Sequence, residues 1–116
     1  MANHFWRTKV IQPGLDSDVN AAVAEQMAIL AHDPQNAKAY FALGTLSHFQ
    51  KQTNQAIQYF EKAIELDSSY APPHISLGQI YAVEGDYSHA WRHARAAEAL
   101  GSRDLVEMLE RYPNLR

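Results

Sequence analysis

Apolar and small residues return along this chain with a fixed period of 34. Ala37, Leu43, Gly44, Ala56, Ala63, Leu66 and Ser68 are matched by Ala71, Leu77, Gly78, Ala90, Ala97, Leu100 and Ser102. Ala56 and Ala63, like Ala90 and Ala97, stand seven apart and share one helical face, where small side chains permit tight helix crossing. The pattern predicts helices near residues 18–32, 35–50, 53–66, 70–84, 87–100 and 102–111. A period of this length is the mark of stacked supersecondary units, each unable to bury its apolar face without a neighbour. The expected architecture is an all-α solenoid, a class of fold usually built to bind.

Local signals agree with that division. A glycine inside a helix costs about 1 kcal/mol relative to alanine, so Gly44 and Gly78 need a packing reason, and close approach of paired helices supplies one. Thr53 and Ser88 stand near the starts of second helices, where a hydroxyl can accept from an unpaired backbone N–H. Pro72 and Pro73 are tolerated in a first turn, where backbone donors have no intrahelical partner. Gly101 fits a left-handed helix end, and Ser102 is placed to cap the next helix. That last helix carries a stripe of Leu105, Leu109 and Tyr112, with Arg103, Asp104, Glu107, Glu110 and Arg111 on its wet side. Such a two-faced helix suits the end of a stack. The alternative is that Leu105, Met108 and Leu109 lead into a partner chain.

One period upstream, Ala22, Val23 and Leu30 align with Ala56, Ile57 and Ile64, and Asp33 with Asp67. Residues 18–36 therefore read as the second half of an earlier unit. Residues 1–15 contain Pro13 and Gly14 and are expected to be an irregular arm. The aromatic part of that arm, from His4, Phe5 and Trp6 to Val10 and Ile11, is a candidate to cover the exposed flank of the first full unit, in its own chain or in a second copy.

The residues at the repeated positions resemble the tetratricopeptide repeat, a helix–turn–helix unit. Tyr40, Leu43, Gly44, Ala56, Phe60 and Ala63 fit one copy, and Leu77, Gly78, Tyr81, Gly85, Ala90 and Ala97 fit the next. The departures are Ser47 and Ala94 at positions usually aromatic, His74 at the first large position, and Ser68 and Ser102 where proline is common. The resemblance implies a short right-handed solenoid: a half repeat at 18–36, repeats at 37–70 and 71–102, and a capping helix at 102–112, all within one domain of residues 16–116.

Composition narrows the chemistry. With 47% apolar residues in 116, the chain can build one core and is too short for two ordinary domains. No apolar run approaches the 18 or so residues of a membrane span. Arg7 and Lys9 are not followed by an apolar stretch, so a secretory signal is not expected. The absence of cysteine removes disulfide and thiol chemistry and is compatible with the cytoplasm, the expected location. A formal charge of −3 without a basic stripe argues against nucleic acid. His89 and His93 have the spacing at which two imidazoles can share a metal, but no third ligand stands at a recognisable spacing, and neither metal nor cofactor is expected. Glu61 and Glu65, beside Lys62, read as an ordinary solvated face rather than a paired-carboxylate catalyst. No phosphate-binding glycine loop or nucleophile motif is present, and enzymatic activity is not expected.

Function is then sought on the first helix of each repeat, because the resemblance implies that these helices line a concave groove for an extended peptide or a partner helix. Counted by register, the groove residues are Lys38, Phe41, Thr45, His48 and Phe49 in one repeat, and Pro72, Ile75, Gln79, Ala82 and Val83 in the next. The family variant that clamps a C-terminal carboxylate uses Lys and Asn at places held here by Phe41, Ile75, Thr45 and Gln79, so that clamp is not expected. The groove reads as apolar with a few polar groups, on a protein or peptide adaptor, a scaffold or a secretion-chaperone-like module. The competing reading is a structural subunit that self-associates as a homodimer. Phe41, Phe49 and Ile75 are either an exposed patch or simply core.

Overall fold

The computed structural model describes the backbone of residues 2–111 and the side chains of residues 17–111. Its elements are α1 (Ala2–His32), α2 (Ala37–Phe49), α3 (Thr53–Leu66), α4 (Ala71–Val83), α5 (Tyr87–Ala99) and α6 (Asp104–Glu110). Among the described residues there is no strand. Packing is heaviest within the hairpins α2/α3 and α4/α5, and α1 on α2, α3 on α4 and α6 on α5 extend it along the chain. The all-helical repeat architecture expected from the 34-residue period is the one observed.

The N-terminal segment differs from expectation. Instead of an irregular arm ending at Pro13-Gly14, α1 is helical from Ala2 to His32. A proline removes one intrahelical bond and crowds the preceding turn, a cost of about 3 kcal/mol that disfavours a helix without forbidding it. The side chains proposed to cover the first repeat, Phe5 and Trp6 among them, lie outside the described side chains. Within those described, Val19 of α1 is buried.

Helix starts also depart from the reading of the hydroxyls. The cap of α2 is Asn36, whose side-chain oxygen accepts from the Ala39 N–H at 2.9 Å. That of α5 is Asp86, accepting from the His89 N–H at 3.2 Å. Thr53 is already inside α3, Ser88 inside α5, and Arg103 rather than Ser102 precedes α6. A carboxylate reaches the free N–H groups of a first turn as well as a hydroxyl does, and Asp86 lies two residues upstream of Ser88; Gln52, before α3, makes no side-chain cap hydrogen bond. Pro72 and Pro73 do fall in the first turn of α4.

Two clusters form the core. Ala56, Phe60, Leu77 and Ile80 join α3 to α4, with Phe41, Ile57, Ile64 and Tyr81 at their edge. Ala90, Ala94, Leu105, Val106 and Leu109 join α5 to α6, bordered by Tyr81, Ala82, Trp91 and Met108. Leu105 and Leu109 are thus buried in their own chain, as a capping helix requires, while Arg103, Asp104, Glu107, Glu110 and Arg111 are exposed. Tyr112, the third member of the stripe, lies outside the described residues.

The two glycines are packed by different partners. A Cβ at Gly44 would come within 2.6–3.0 Å of the Phe60 ring on the paired helix. At Gly78 it would instead meet Leu105 of α6, with the Ala90 carbonyl at 3.4 Å. The expected close approach of paired helices holds for α2/α3 and, through the Ala90 backbone of α5, for α4/α5. In the second repeat the space is taken by the cap.

Candidate functional site

The groove residues do not share one environment. Lys38, Thr45, His48, Phe49, Gln79 and Val83 are exposed, whereas Phe41, Pro72, Ile75 and Ala82 are half-buried. Phe41 belongs to the core edge: its ring lies 5.6 Å from that of Phe60 and 5.7 Å, edge-on, from that of Tyr70. Ala82 packs against the α5/α6 cluster. The Thr45 hydroxyl donates to the Phe41 carbonyl one turn back, at 3.1 Å.

What the fold does bring together lies at the C-terminal ends of α2 and α4. A cleft of about 270 Å³ is lined by His48, Thr53, Gln79, Ile80, Val83 and Glu84. Thr53 enters it because α3 starts only four residues after α2 ends. Of the register-derived set, His48, Gln79 and Val83 meet here. Lys38 is ten residues upstream of His48 on the same helix, about 15 Å away along its axis. Val83, which lines the cleft, is 88% exposed, and Phe49, next to His48 in the sequence, is 61% exposed. They occupy the same place in successive repeats, at the last residue of a first helix.

Thr53, Ile80 and Glu84 were not among the expected groove residues. Register counting assigns faces along one helix at a time and carries no information on where the turns of neighbouring hairpins converge. Glu84 is the C-terminal boundary of α4 and Thr53 the first residue of α3, so both lie at turns.

A second cluster sits between α4 and α5. His74 and His93 face each other with Nδ1 atoms 3.2 Å apart. The His93 ring stacks on Tyr81 at 5.8 Å and 6°, and His89 approaches the same tyrosine at 5.0 Å. His89 turns its Nδ1 to the Asp86 carboxylate, 2.7 Å away, so it does not converge with His93 on a common point. That hydrogen bond, with the one from the His89 backbone, holds the Asp86 carboxyl below its ordinary range. Burial lowers His74, and a backbone hydrogen bond with Ser68 acts against it. Burial, followed by the positive charges of His74, Arg92 and His89, lowers His93 to about 4. Burial raises the Tyr81 hydroxyl, helped by Glu61, Asp86 and Glu84.

Among the described residues no three histidines or carboxylates are grouped to hold a metal ion. Glu65 pairs with Lys62 at 3.4 Å on an exposed face, and Glu61 is exposed beside them. No helix among the described residues is long and apolar enough to cross a membrane.

The tetratricopeptide repeat family matches residues 37–70, the segment that holds α2 and α3. Over 92 residues the chain is 30% identical to the probable biofilm formation methyltransferase WspC of Pseudomonas putida (strain KT2440). That match takes in 74% of this chain and 22% of the relative, so the chain spans under a quarter of that protein's length. The matched hairpin recurs at α4/α5, one period on, and residues 37–70 are a tetratricopeptide repeat, a unit that generally mediates protein–protein interaction.

Proposed function

We propose that this chain is an interaction module, of the adaptor, scaffold or chaperone-like kind, whose contact surface is the cleft at the ends of α2 and α4. One observation carries the reading: Phe49 and Val83 are large, apolar, exposed and one repeat apart, and Val83 lines a cleft that also offers polar groups from His48, Gln79 and Glu84. A pair of apolar anchors with adjacent polar groups is how an extended peptide or a helix is gripped and oriented. Thr45 and Lys38 extend the exposed surface along α2, while Phe41, Ile75 and Ala82 are half-buried. The methyltransferase activity named for the relative is not transferred to this chain, because the match covers only 22% of that protein.

The test is a comparison of the chain with Phe49→Ser and Val83→Ser variants, each checked first for unchanged helicity by circular dichroism. Affinity capture with mass spectrometry identifies partners, and titration of a captured partner's peptide measures each variant. Loss of binding by at least tenfold in folded variants supports the cleft. Undiminished binding places the surface elsewhere. Light scattering on the same samples addresses the self-association reading: a dimer that both substitutions convert to a monomer would make the occupant a second copy.

A further inference from the structure

We propose that the His74–His93 pair is a proton-sensitive clasp between α4 and α5: one N–H···N hydrogen bond joins the rings, and it is lost when both are protonated. The inference is independent of the cleft's role in binding. Its basis is geometric. With 3.2 Å between the two Nδ1 atoms, one nitrogen must donate and the other accept. The Ser68 hydrogen bond favours the protonated form of His74, as a carbonyl accepting from the ring does. His93 is held in place by its stack on Tyr81.

A first proton can be carried with the bond intact, because an imidazolium still donates through Nδ1. A second proton cannot. Both Nδ1 atoms would then bear hydrogen and face each other at contact distance, and two cations would share a half-buried site. The neighbours offer little relief. From α5 come Arg92 and His89, which add positive charge, and Asp86 before it is already engaged by His89. From α4 and its end come Tyr81 and Glu84, and from α3 Glu61, whose effect falls on the Tyr81 hydroxyl. α6 presents Leu105, Val106 and Leu109 to α5, its Asp104, Glu107 and Glu110 being exposed.

The first repeat supplies an internal control. One period upstream the same two places hold Tyr40 and Tyr59, with ring centroids 6.3 Å apart at 37°, against 5.4 Å and 42° for the histidines. A phenol carries no basic ring nitrogen for a proton to occupy. The clasp is therefore confined to the second repeat, and acid should loosen α4/α5 while leaving α2/α3 closed.

The sign follows from linkage. A histidine whose folded value is depressed adds protons on opening, so its contribution to stability is full above about 6.5 and is lost as pH falls toward the folded value. With His93 at about 4, opening at pH 5 would be favoured by about 30-fold over neutral pH, reduced to roughly tenfold by solvent screening of a ring that is only half buried.

Hydrogen exchange at pH 7.5 and 5.0, corrected for intrinsic rates, reads this directly. The expected result is a roughly tenfold loss of protection in α4 and α5 relative to α2 and α3, abolished by the double substitution His74→Tyr and His93→Tyr. Parallel loss in both hairpins, or an undiminished difference in the double variant, would overturn the proposal. If that variant does not fold, NMR titration of the imidazoles in the unaltered chain decides: His93 neutral at pH 5 upholds the clasp, and both rings titrating near 6.5 refutes it.

Discussion

The hairpins α2/α3 and α4/α5 share a period and a backbone path but fill the space beside their Leu-Gly pair in different ways. In the first, the Phe60 ring covers Gly44. In the second, the equivalent position is Ala94, fully buried, and Leu105 from the following helix occupies the space over Gly78. The first repeat is thus closed by its own second helix, and the second is completed by α6. Alanine in place of the second repeat's own aromatic leaves room for Leu105 of α6, a helix outside the two repeats. The two repeats differ again at Tyr40–Tyr59 and His74–His93, where a pair of phenols gives way to a pair of imidazoles.

The sharpest way to break this comparison is to empty both fillings. Phe60→Ala should cost about 3–5 kcal/mol, since a fully buried ring leaves a cavity the two helices cannot close. Leu105→Ala should cost about 2–5 kcal/mol although Leu105 lies outside the repeats, because it is as deeply buried. Urea unfolding measures both. A neutral Leu105→Ala would show that α6 does not stand in for the missing aromatic.

Overfilling gives the next effect. Gly44→Leu and Gly78→Leu should each destabilise by about 1–3 kcal/mol. The first should be the worse, because the Phe60 ring is held on the paired helix by the core, whereas Leu105 sits on a seven-residue helix at the end of the stack. Melting temperatures in that order sharpen the comparison. If both variants melted like the parent, the register of the repeats would be wrong.

Much of this was legible in the residues themselves. The period located the two hairpins, their turns and the cap, because positions such as Leu43 and Leu77 have the same packing role in both copies and so the same chemistry. What was not legible arises where copies differ or meet. Ala94 reads as a defect until Leu105 is seen against Gly78. His74 reads as a departure from the pattern, yet its partner His93 is one period from Tyr59 just as His74 is from Tyr40, a signal present in the sequence and visible only when unlike residues are compared. The cleft eluded the register because it is made by turn-proximal residues of separate hairpins, Thr53 and Glu84 among them. Propensity failed at Pro13-Gly14, where a local cost was taken as a stop.

Within α2 itself, Phe41 and Phe49 divide the expected groove into support and surface. Phe41→Ala should cost about 2–4 kcal/mol, since its ring packs on Phe60 and Tyr70. Phe49→Ala should change stability by less than about 0.5 kcal/mol, its side chain being mostly in solvent. Thermal melts of the two variants side by side test the division. Equal losses would put Phe49 in the core and remove the observation on which the binding surface rests.

A last comparison sets the two inter-helix turns side by side. After α2 the chain places Lys51 at φ +63°, and after α4 the equivalent residue is Gly85 at φ +83°. Both turns close in the same manner: the Gln52 N–H donates to the Ser47 carbonyl at 2.9 Å, and the Asp86 N–H to that of Tyr81 at 2.8 Å. The left-handed backbone that this closure needs crowds a Cβ against the following carbonyl, a penalty glycine escapes. Lys51→Gly should therefore stabilise the first hairpin, by about 0.5–1 kcal/mol after the greater freedom glycine gives the unfolded chain is set against the relieved strain. The reverse change, Gly85→Lys, should destabilise the second by a similar amount, there being open space around Gly85 and hence no clash to add to the backbone term. Denaturant midpoints moving in opposite directions would show that the two turns are one structure carrying different residues; midpoints moving the same way would show that Lys51 gains from its side chain something the shared backbone does not explain.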